Sequence, residues 1–162
     1  MNNDEKLIVR NAILGDAKII YDLSNDVIVR NNSINKQSIK WEDHINWFQK
    51  KLLDDDYVIY LAFLDDKFVG QTKFEITSEE AIVSISIHEA FRGMKIAPKI
   101  LKMTCARLFS NYKNIKTVFA YIKPENLPSI RSFQNAGFIK DAKEIMFNGE
   151  QFLVYIKKSD LL

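Results

Sequence analysis

Cysteine, histidine and glycine are scarce in this chain of 162 residues, which contains one, two and five of them respectively. The single cysteine, Cys105, excludes an intrachain disulfide and a thiolate metal cage. The segment from His88 to Arg92 lacks the second histidine that a zinc-binding helix needs, so no metal site is predicted. No two glycines fall within five residues of each other. This spacing excludes the Walker loop and the glycine-rich dinucleotide-binding turn.

Long apolar runs are also absent. The longest stretches without a charged residue have eight residues, as in Tyr57–Leu64, whereas a membrane-spanning helix needs about 20. The start, Met1 to Lys6, is polar and predicts no signal peptide. The 23 basic residues nearly balance the 21 acidic ones, and the lysines are scattered along the chain, which does not favour a nucleic-acid partner. We therefore expect a soluble, cytoplasmic protein without a membrane or nucleic-acid partner.

The length and an apolar fraction of 47% predict one domain over residues 1–162. Hydrophobic periodicity and turn residues predict strands at Leu7–Arg10, Tyr57–Leu64, Phe68–Glu75, Ala81–Ile87, Thr117–Ile122, Ile139–Phe147 and Gln151–Lys157. The predicted helices are one opened by Asp16, one beginning near Ser38, one from Ile96 to Tyr112 and a short one at Pro128, with Arg30–Gln37 as a polar loop. This order predicts an α/β (α+β) protein whose mixed, mostly antiparallel sheet of about seven strands is flanked by about four helices.

The junction after the fourth predicted strand carries the most chemical information. Arg92-Gly93-Met94-Lys95-Ile96-Ala97 places a flexible turn and cations where a helix begins, and a helix N-terminus is a ready anion site. An ordinary strand-to-helix loop is the alternative interpretation. A second polar helix start, at Asn126 to Ser129, follows the next predicted strand. Two such turns, each after a strand, are able to converge on one ligand.

These two segments resemble the motifs of the GCN5-related N-acetyltransferase (GNAT) superfamily. Arg92–Ala97 is similar to its Q/R-x-x-G-x-G/A pyrophosphate loop. Asn126, Ser129, Phe133 and Gly137-Phe138 are similar to its N-x-x-A/S-x-x-x-Y-x-x-x-G-F segment. The resemblance implies the GNAT fold, an N-acetyltransferase activity and acetyl-CoA as cofactor, with pantetheine between Ser84–His88 and Thr117–Ile122. It implies cofactor contacts from Ser86, Ile87, His88, Arg92, Gly93, Met94, Lys95, Ile96, Ala97, Asn126, Ser129 and Phe133.

Two positions depart from the family pattern. Lys95 stands where the family usually has glycine, and a lysine keeps the turn if its φ is negative. Phe133 stands where many members have a tyrosine that protonates the leaving thiolate. Because a thiol has a pKa of about 8.5, its thiolate leaves readily, and Tyr121 or Ser129 is expected to orient a water there. A non-catalytic acyl-CoA-binding module is the alternative.

A general base is predicted from alternation along two neighbouring strands. Gln71, Lys73 and Glu75 share one face of the third strand, and Ser84, Ser86 and His88 share one face of the fourth. Paired in register they form a polar patch, for which a solvated sheet face is the alternative. We expect Glu75 or His88 to accept the proton of the acceptor amine. In the GNAT fold a backbone N–H near Ile87 is the expected oxyanion donor.

A narrower resemblance concerns the acceptor. Segments 30–35, 41–48 and 69–74 are similar to acetyltransferases that act on UDP-4-amino-4,6-dideoxy sugars in pathways of the pseudaminic-acid type. The resemblance implies aromatic and His44 contacts to the nucleotide or sugar, with Lys73 on a phosphate. The acceptor residues so predicted are Asn31, Ser33, Trp41, His44, Trp47, Gln71, Lys73 and Ser84. A plain core role for the tryptophans, a ribosomal-protein type of N-terminal acetyltransferase and a homodimer remain open.

Overall fold

A seven-stranded sheet organises the computed structural model, which describes residues 6–160. The terminal residues of the predicted domain 1–162, including most of the segment that predicts no signal peptide, lie outside this range. The strands are β1 Leu7–Asn11, β2 Tyr57–Leu64, β3 Lys67–Thr77, β4 Glu80–Ile87, β5 Thr117–Ile122, β6 Ile139–Phe147 and β7 Glu150–Lys158. Their spatial order is β1-β2-β3-β4-β5-β7-β6.

Every neighbouring pair of strands in this sheet is antiparallel except β4 with β5, which are parallel. The tight connections of β2, β3 and β4 explain the antiparallel part, because short hairpins join antiparallel strands. Asn148 and Gly149 connect β6 to β7 with φ of 49° and 76°, the left-handed pair that a type I′ turn requires. The predicted fold class is therefore confirmed.

Five α-helices cover the sheet, and one of them was not predicted. They are α1 Ala17–Ser24, α2 Val27–Asn32, α3 Trp41–Leu52, α4 Ala97–Asn111 and α5 Leu127–Asn135. Within residues 6–160, none of the helices has the length and apolar character that crossing a membrane requires. Helix α2 occupies the start of the predicted loop. Asp26 caps it, since its Oδ1 accepts hydrogen bonds from the amides of Ile28 and Val29 at 3.0 and 3.1 Å.

The predicted start of α3 near Ser38 was wrong. Helix α3 begins at Trp41, and Lys40 at its N-cap makes no side-chain capping bond. A tertiary contact explains the later start of the helix, because the side chain of Asn25 fixes the backbone of Ile39, the residue before Lys40. Its Oδ1 accepts from the Ile39 amide at 2.7 Å, and its Nδ2 donates to the Ile39 carbonyl at 3.0 Å.

Helices lie on both faces of the sheet. On the face that we call the α4–α5 face, Leu101 and Leu108 of α4 and Phe133 of α5 pack against the buried side chains Phe74, Val83 and Val118. On the α1–α3 face, Ile20 and Phe48 pack against Ile59 and Leu61 of β2. Burying these large apolar side chains on both faces stabilises the sheet by about 1.5–3 kcal/mol per side chain.

A buried carboxylate fixes the first helix to the edge of the sheet. Asp16 accepts two hydrogen bonds from the guanidinium of Arg10, at 2.7 and 2.8 Å, and one from the Ile13 amide at 2.8 Å. Burial alone would raise the pKa of Asp16, but these hydrogen bonds outweigh it and the pKa lies below its ordinary value. The carboxylate therefore stabilises the fold above its unfolded pKa of about 3.9, and this contribution is lost as pH falls through the folded value.

The change Asp16→Asn tests this contact. Since a hydrogen bond to a charged group contributes about 1.5–3 kcal/mol, we expect the free energy of unfolding at pH 7 to fall by about 2 kcal/mol. Urea unfolding measures it. Asp22→Asn is the control, because it breaks the exposed pair with Lys18, which is worth less than about 1 kcal/mol. Equal effects of the two changes at pH 7, or a difference that does not decrease as the pH falls below the unfolded pKa of about 3.9, would contradict this account.

Candidate functional site

The divergence of β4 from β5 creates the main cleft. The two strands pair in register only from Glu80 with Thr117 to Ile82 with Phe119, although β4 runs on to Ile87 and β5 to Ile122. Beyond that point they separate and leave a cleft of about 1170 Å³ between them. The predicted opening between Ser84–His88 and Thr117–Ile122 therefore exists.

The unpaired edge of β4 presents backbone amides to this cleft. The His88 amide donates to the Val69 carbonyl at 2.8 Å, and hydrogen-bonded pairs alternate along an antiparallel ladder. Since Gly70 is paired with Ile87 and Thr72 with Ile85, the amides of Ile85 and Ile87 point away from β3 and towards the opening. The Ile87 amide is thus available, as predicted, to donate to an oxyanion.

The loop between β4 and α4 carries further free amides. Gly93 has a φ of +77° and Lys95 a φ of +57°. Lys95 therefore does not meet the condition of a negative φ, since this lysine adopts the left-handed conformation itself at a cost of about 1–2 kcal/mol. Among the loop and cap hydrogen bonds of residues 6–160, none uses the amides of Lys95, Ile96 or Ala97. These amides lie at the start of α4, where the prediction places a pyrophosphate, and a helix N-terminus suits an anion.

Arg92 plays a different part from the one predicted. Its amide donates to the Glu89 carbonyl at 3.2 Å and is therefore not free for a pyrophosphate. The free amides of this loop follow it in the chain. Its side chain forms an ion pair with Asp26 at 2.7 Å, and its Nε donates to the Ile87 carbonyl at 3.0 Å. Arg92 therefore ties the start of α2 to the end of β4 and holds the cleft walls together.

The start of α5 forms the opposite wall. The Oδ1 of Asn126 accepts from the Ser129 amide at 3.3 Å and caps the helix. Phe133, buried in the wall, packs edge to face on Phe138 with ring centres 4.9 Å apart. Tyr121 also lines the cleft. Burial and the charge of Glu80 raise the pKa of Tyr121, so its phenol stays protonated and keeps a proton to give.

The structure brings most of the predicted site residues into this one cleft. Those that line it are Ser33, Lys73, Ser84, Ser86, Ile87, Arg92, Gly93, Lys95, Ile96, Ala97, Tyr121, Asn126, Ser129 and Phe133. The predicted register is also present, since Gln71 pairs with Ser86 and Lys73 with Ser84. Gln71 lies beneath this patch, 1% exposed, and neither polar atom of its side chain has a hydrogen-bond partner.

The α3 aromatic residues predicted to contact the acceptor lie outside the cleft: His44 is buried in the core, Trp47 is half-buried and Trp41 is 42% exposed. His44 is 2% exposed, and its Nε2 donates to the Ala17 carbonyl at 2.8 Å. Burial and the charge of Lys73 lower the pKa of His44, so the ring is neutral. Trp41 packs edge to face on Tyr21, and Trp47 packs the same way on Tyr57. None of the three aromatic residues predicted for the acceptor lines the cleft.

Both predicted bases lie away from the cleft. Glu75 is exposed on β3 opposite Tyr57, two residues beyond the last cleft residue of that strand. The Nδ1 of His88 accepts from the Ala90 amide at 3.3 Å. His88 and Met94 line a separate groove beside α1, because the chain turns there into a short 3₁₀ helix, Glu89–Phe91. Asn31 does not line the cleft either; its backbone carbonyl accepts a hydrogen bond from the Nζ of Lys123 at 3.0 Å.

Sequence reasoning missed three cations of the cleft, Arg30, Lys123 and Arg131. Arg30 lies on α2, and its guanidinium donates to the Asn35 carbonyl and the Ser33 hydroxyl, both at 3.1 Å. Its Nε is buried without a partner. Lys123 is 4% exposed and pairs with Glu150 at 3.0 Å. Arg30 lies one helical turn after Asp26, the N-cap of α2. Because α2 was not predicted, this spacing did not identify Arg30 as a cleft residue.

Comparison with known proteins agrees with this geometry. A family model described as an acetyltransferase (GNAT) domain matches residues 6–139. The chain belongs to the GNAT acetyltransferase family. An uncharacterized protein of Methanocaldococcus jannaschii is 27% identical over 148 residues, which is 88% of this chain. The chain spans about 30% of the length of that relative.

Solved structures share the fold. A domain from Methanocaldococcus jannaschii has a TM-score of 0.81 at 20% identity, covering 96% of this chain and 100% of its own. The aminoglycoside acetyltransferase AAC(6')-Ib in complex with ribostamycin and coenzyme A has a TM-score of 0.82 at 14% identity, covering 94% and 93%. Spermidine N-acetyltransferase from Vibrio cholerae in complex with CoA and spermine has a TM-score of 0.79 at 16% identity, covering 93% and 92%.

The residues of this GNAT domain fit acetyl-CoA as a cofactor. Phosphates need clustered donors, and the free amides of Lys95, Ile96 and Ala97 supply them at the start of α4. A pantetheine arm contains amide groups, which suit the unpaired edge of β4 at Ile85 and Ile87. The cleft between the strands is therefore equipped to bind acetyl-CoA.

Gly93→Ala tests the pyrophosphate loop. A Cβ at this position meets nothing within 4 Å, so the change acts only through the left-handed backbone, which costs a non-glycine residue about 1–2 kcal/mol. Because the loop relaxes away from the conformation that aligns its amides, we expect the Kd for CoA in calorimetry to rise about tenfold. Gly15→Ala, whose nearest contact would be 4.0 Å away, is the control. An unchanged Kd for Gly93→Ala would refute the assignment of the loop.

Proposed function

We propose that the acceptor is the amine of an anionic molecule, a nucleotide-linked amino sugar of the UDP-4-amino-4,6-dideoxy type. The charge of the cleft wall carries this proposal. Among residues 6–160, six basic side chains and the carboxylate of Glu125 line the cleft. Arg92 and Lys123 are paired with Asp26 and Glu150, which leaves Arg30, Lys73, Lys95 and Arg131 without a carboxylate partner among these residues. A pocket of this sign attracts phosphates and repels polycations.

The cations near α2 support a phosphate site on the acceptor side. Within residues 6–160, no carboxylate lies within 4.0 Å of the basic groups of Arg30 and Lys73. The buried Nε of Arg30 has no partner among these residues, and an unsatisfied cationic donor of this kind gains from an anionic ligand. A diphosphate linking nucleoside and sugar matches this chemistry.

Neutral polar groups next to these cations suit a sugar. Ser84 and Ser86 follow the edge of β4, and Ser24 of α1 reaches the same cleft with a buried, unpartnered hydroxyl. Hydroxyl groups both donate and accept hydrogen bonds, as sugar hydroxyls do. This polar stretch supports an acceptor whose sugar lies at β4 and whose phosphates lie at α2.

The residues of the chain supply positioning and electrostatics for the transfer. Acetyl-CoA supplies a thioester, which is a reactive acyl donor with a good leaving group. The Ile87 amide donates to the carbonyl oxygen on which negative charge develops, and a preorganised donor of this kind is worth about 10²–10³ in rate. Tyr121 holds a proton across the opening and gives it to the leaving sulfur, which Phe133 is unable to do.

A panel of acceptors tests the proposal. The UDP-linked amino sugar should show a kcat/KM at least about 100-fold above those of spermidine, kanamycin and a ribosomal-protein N-terminal peptide, with thiol release as the assay. The rate should fall as salt screens the cleft charge. A better rate with a polyamine, aminoglycoside or peptide would contradict the proposed acceptor. CoA binding without thiol release from any amine would indicate a binding module.

Arg30→Gln tests the phosphate site directly. We expect the KM for the UDP-linked sugar to rise about tenfold, because a charge-assisted hydrogen bond contributes roughly 1.5–3 kcal/mol, while the KM for the free amino sugar stays the same. Lys50→Gln, which removes a charge from the exposed end of α3, is the control. Equal changes in KM for both acceptors would place the nucleotide elsewhere.

Tyr121→Phe tests the proton donor. Since general acid catalysis of a good leaving group contributes modestly, we expect kcat to fall about tenfold with an unchanged Kd for CoA. Ser129→Ala is the matched variant for the other hydroxyl of the wall. A larger loss of kcat with Ser129→Ala than with Tyr121→Phe would assign the proton to Ser129.

A further inference from the structure

Lys73 faces the acceptor side of the cleft without a counter-ion. It lies in the middle of β3, and its Nζ is 5.0 Å from the centre of the Trp47 ring. No carboxylate oxygen among residues 6–160 is within 4.0 Å of it. The titratable or charged side chains that lie around it on the α1–α3 face are Arg30 of α2, His44 of α3, Tyr57 of β2, Glu75 of β3 and Tyr121 of β5.

The sheet register places Lys73 beside the reacting centre. Lys73 is paired with Ser84 of β4. Ile82 is paired with Phe119 of β5, so continuing that register by two residues brings Ser84 level with Tyr121, at the start of the opening. Lys73, Ser84 and Tyr121 therefore form one row across the α1–α3 face, in which the amine and the thioester meet. Lys73 is one strand spacing, about 4.8 Å, from the edge of the opening.

The surroundings of Lys73 favour its neutral form. Burial, and then the positive charge of Arg30, lower the pKa of Lys73 to about 8. An ordinary lysine, with a pKa of about 10.4, is less than ~1% neutral at pH 8, whereas half of the Lys73 side chains are neutral at that pH. Lys73 thus combines a place in the cleft with a free electron pair on its Nζ.

We propose that Lys73 is the base of the reaction and takes a proton from the ammonium group of the acceptor. The inference rests on the proposed acetylation of an amine in this cleft. It assigns the role of base to Lys73 instead of Glu75 or His88. The acceptor nitrogen loses two protons in all: the first leaves the ammonium and frees its electron pair before the C–N bond forms, and the second leaves as the C–S bond breaks. The first proton passes to Nζ of Lys73 and from there to water. The second passes to the leaving sulfur through Tyr121, so charge and protons balance.

Lys73→Arg separates this role from a contact to phosphate. Arginine keeps the positive charge and binds phosphate, but it stays protonated and is unable to act as a base. We expect kcat to fall ~10²-fold or more, with the KM for the acceptor within threefold and an unchanged Kd for CoA. In the wild-type protein kcat should rise with pH to a plateau above pH 8, where Lys73 is neutral. In Lys73→Arg this plateau should disappear, because the amine then loses its proton only to solvent. Lys67→Arg, on the exposed start of β3, is the control.

A titration without any ligand provides an independent readout. In protein labelled with ¹³C at the lysine Cε, the resonance missing from Lys73→Arg should titrate with a midpoint near 8. A midpoint above 10 would overturn the inference. A Lys73→Arg protein that keeps its kcat and changes only the KM for a phosphate-bearing acceptor would also overturn it. If the wild-type chain acetylates no amine, the proposed function fails instead, and the titration distinguishes the two failures.

Discussion

The early separation of β4 from β5 is the constraint on which the rest of the site depends. A parallel pair that stayed closed to the end would use the amides of Ile85 and Ile87 in the sheet. Because pairing stops at Ile82 and Phe119, these donors face a cleft. Gly70 holds β4 close to β3 on the other side, since a Cβ there would overlap the Ser86 carbonyl. The site is thus an interruption of the sheet, held open by packing on both faces.

This construction explains how a chain poor in histidine, cysteine and glycine performs group transfer. Backbone amides of β4 and of the α4 loop supply the donors, and backbone groups place no demand on composition. The special side chains are few: Tyr121 as the proposed proton donor and Lys73 as the proposed base. The other cations of the cleft provide a field that favours phosphates. Phe133, which lacks the proton of a tyrosine, remains a packing residue of the wall.

The strands, the hairpin at Asn148-Gly149 and the two turns that border the cleft were predictable because local patterns determine them. Helix α2 was missed because it has six residues and a Val-Ile-Val start that favours strands. Long-range contacts caused the other errors: Asn25 fixes Ile39 and so delays α3, and the Ala17 carbonyl draws His44 into the core. The neutral form of Lys73 likewise depends on Arg30, which is 43 residues away in the chain.

Hydrogen exchange of individual amides tests the central claim that the open edge of β4 and the α4 loop hold the acetyl donor. On addition of CoA, the amides of Ile85, Ile87, Lys95, Ile96 and Ala97 should exchange more slowly, because each then has a hydrogen-bond partner. Amides in the closed pair of β2 and β3 should be unaffected. Protection confined to the groove beside α1, where His88 and Met94 lie, would contradict the account.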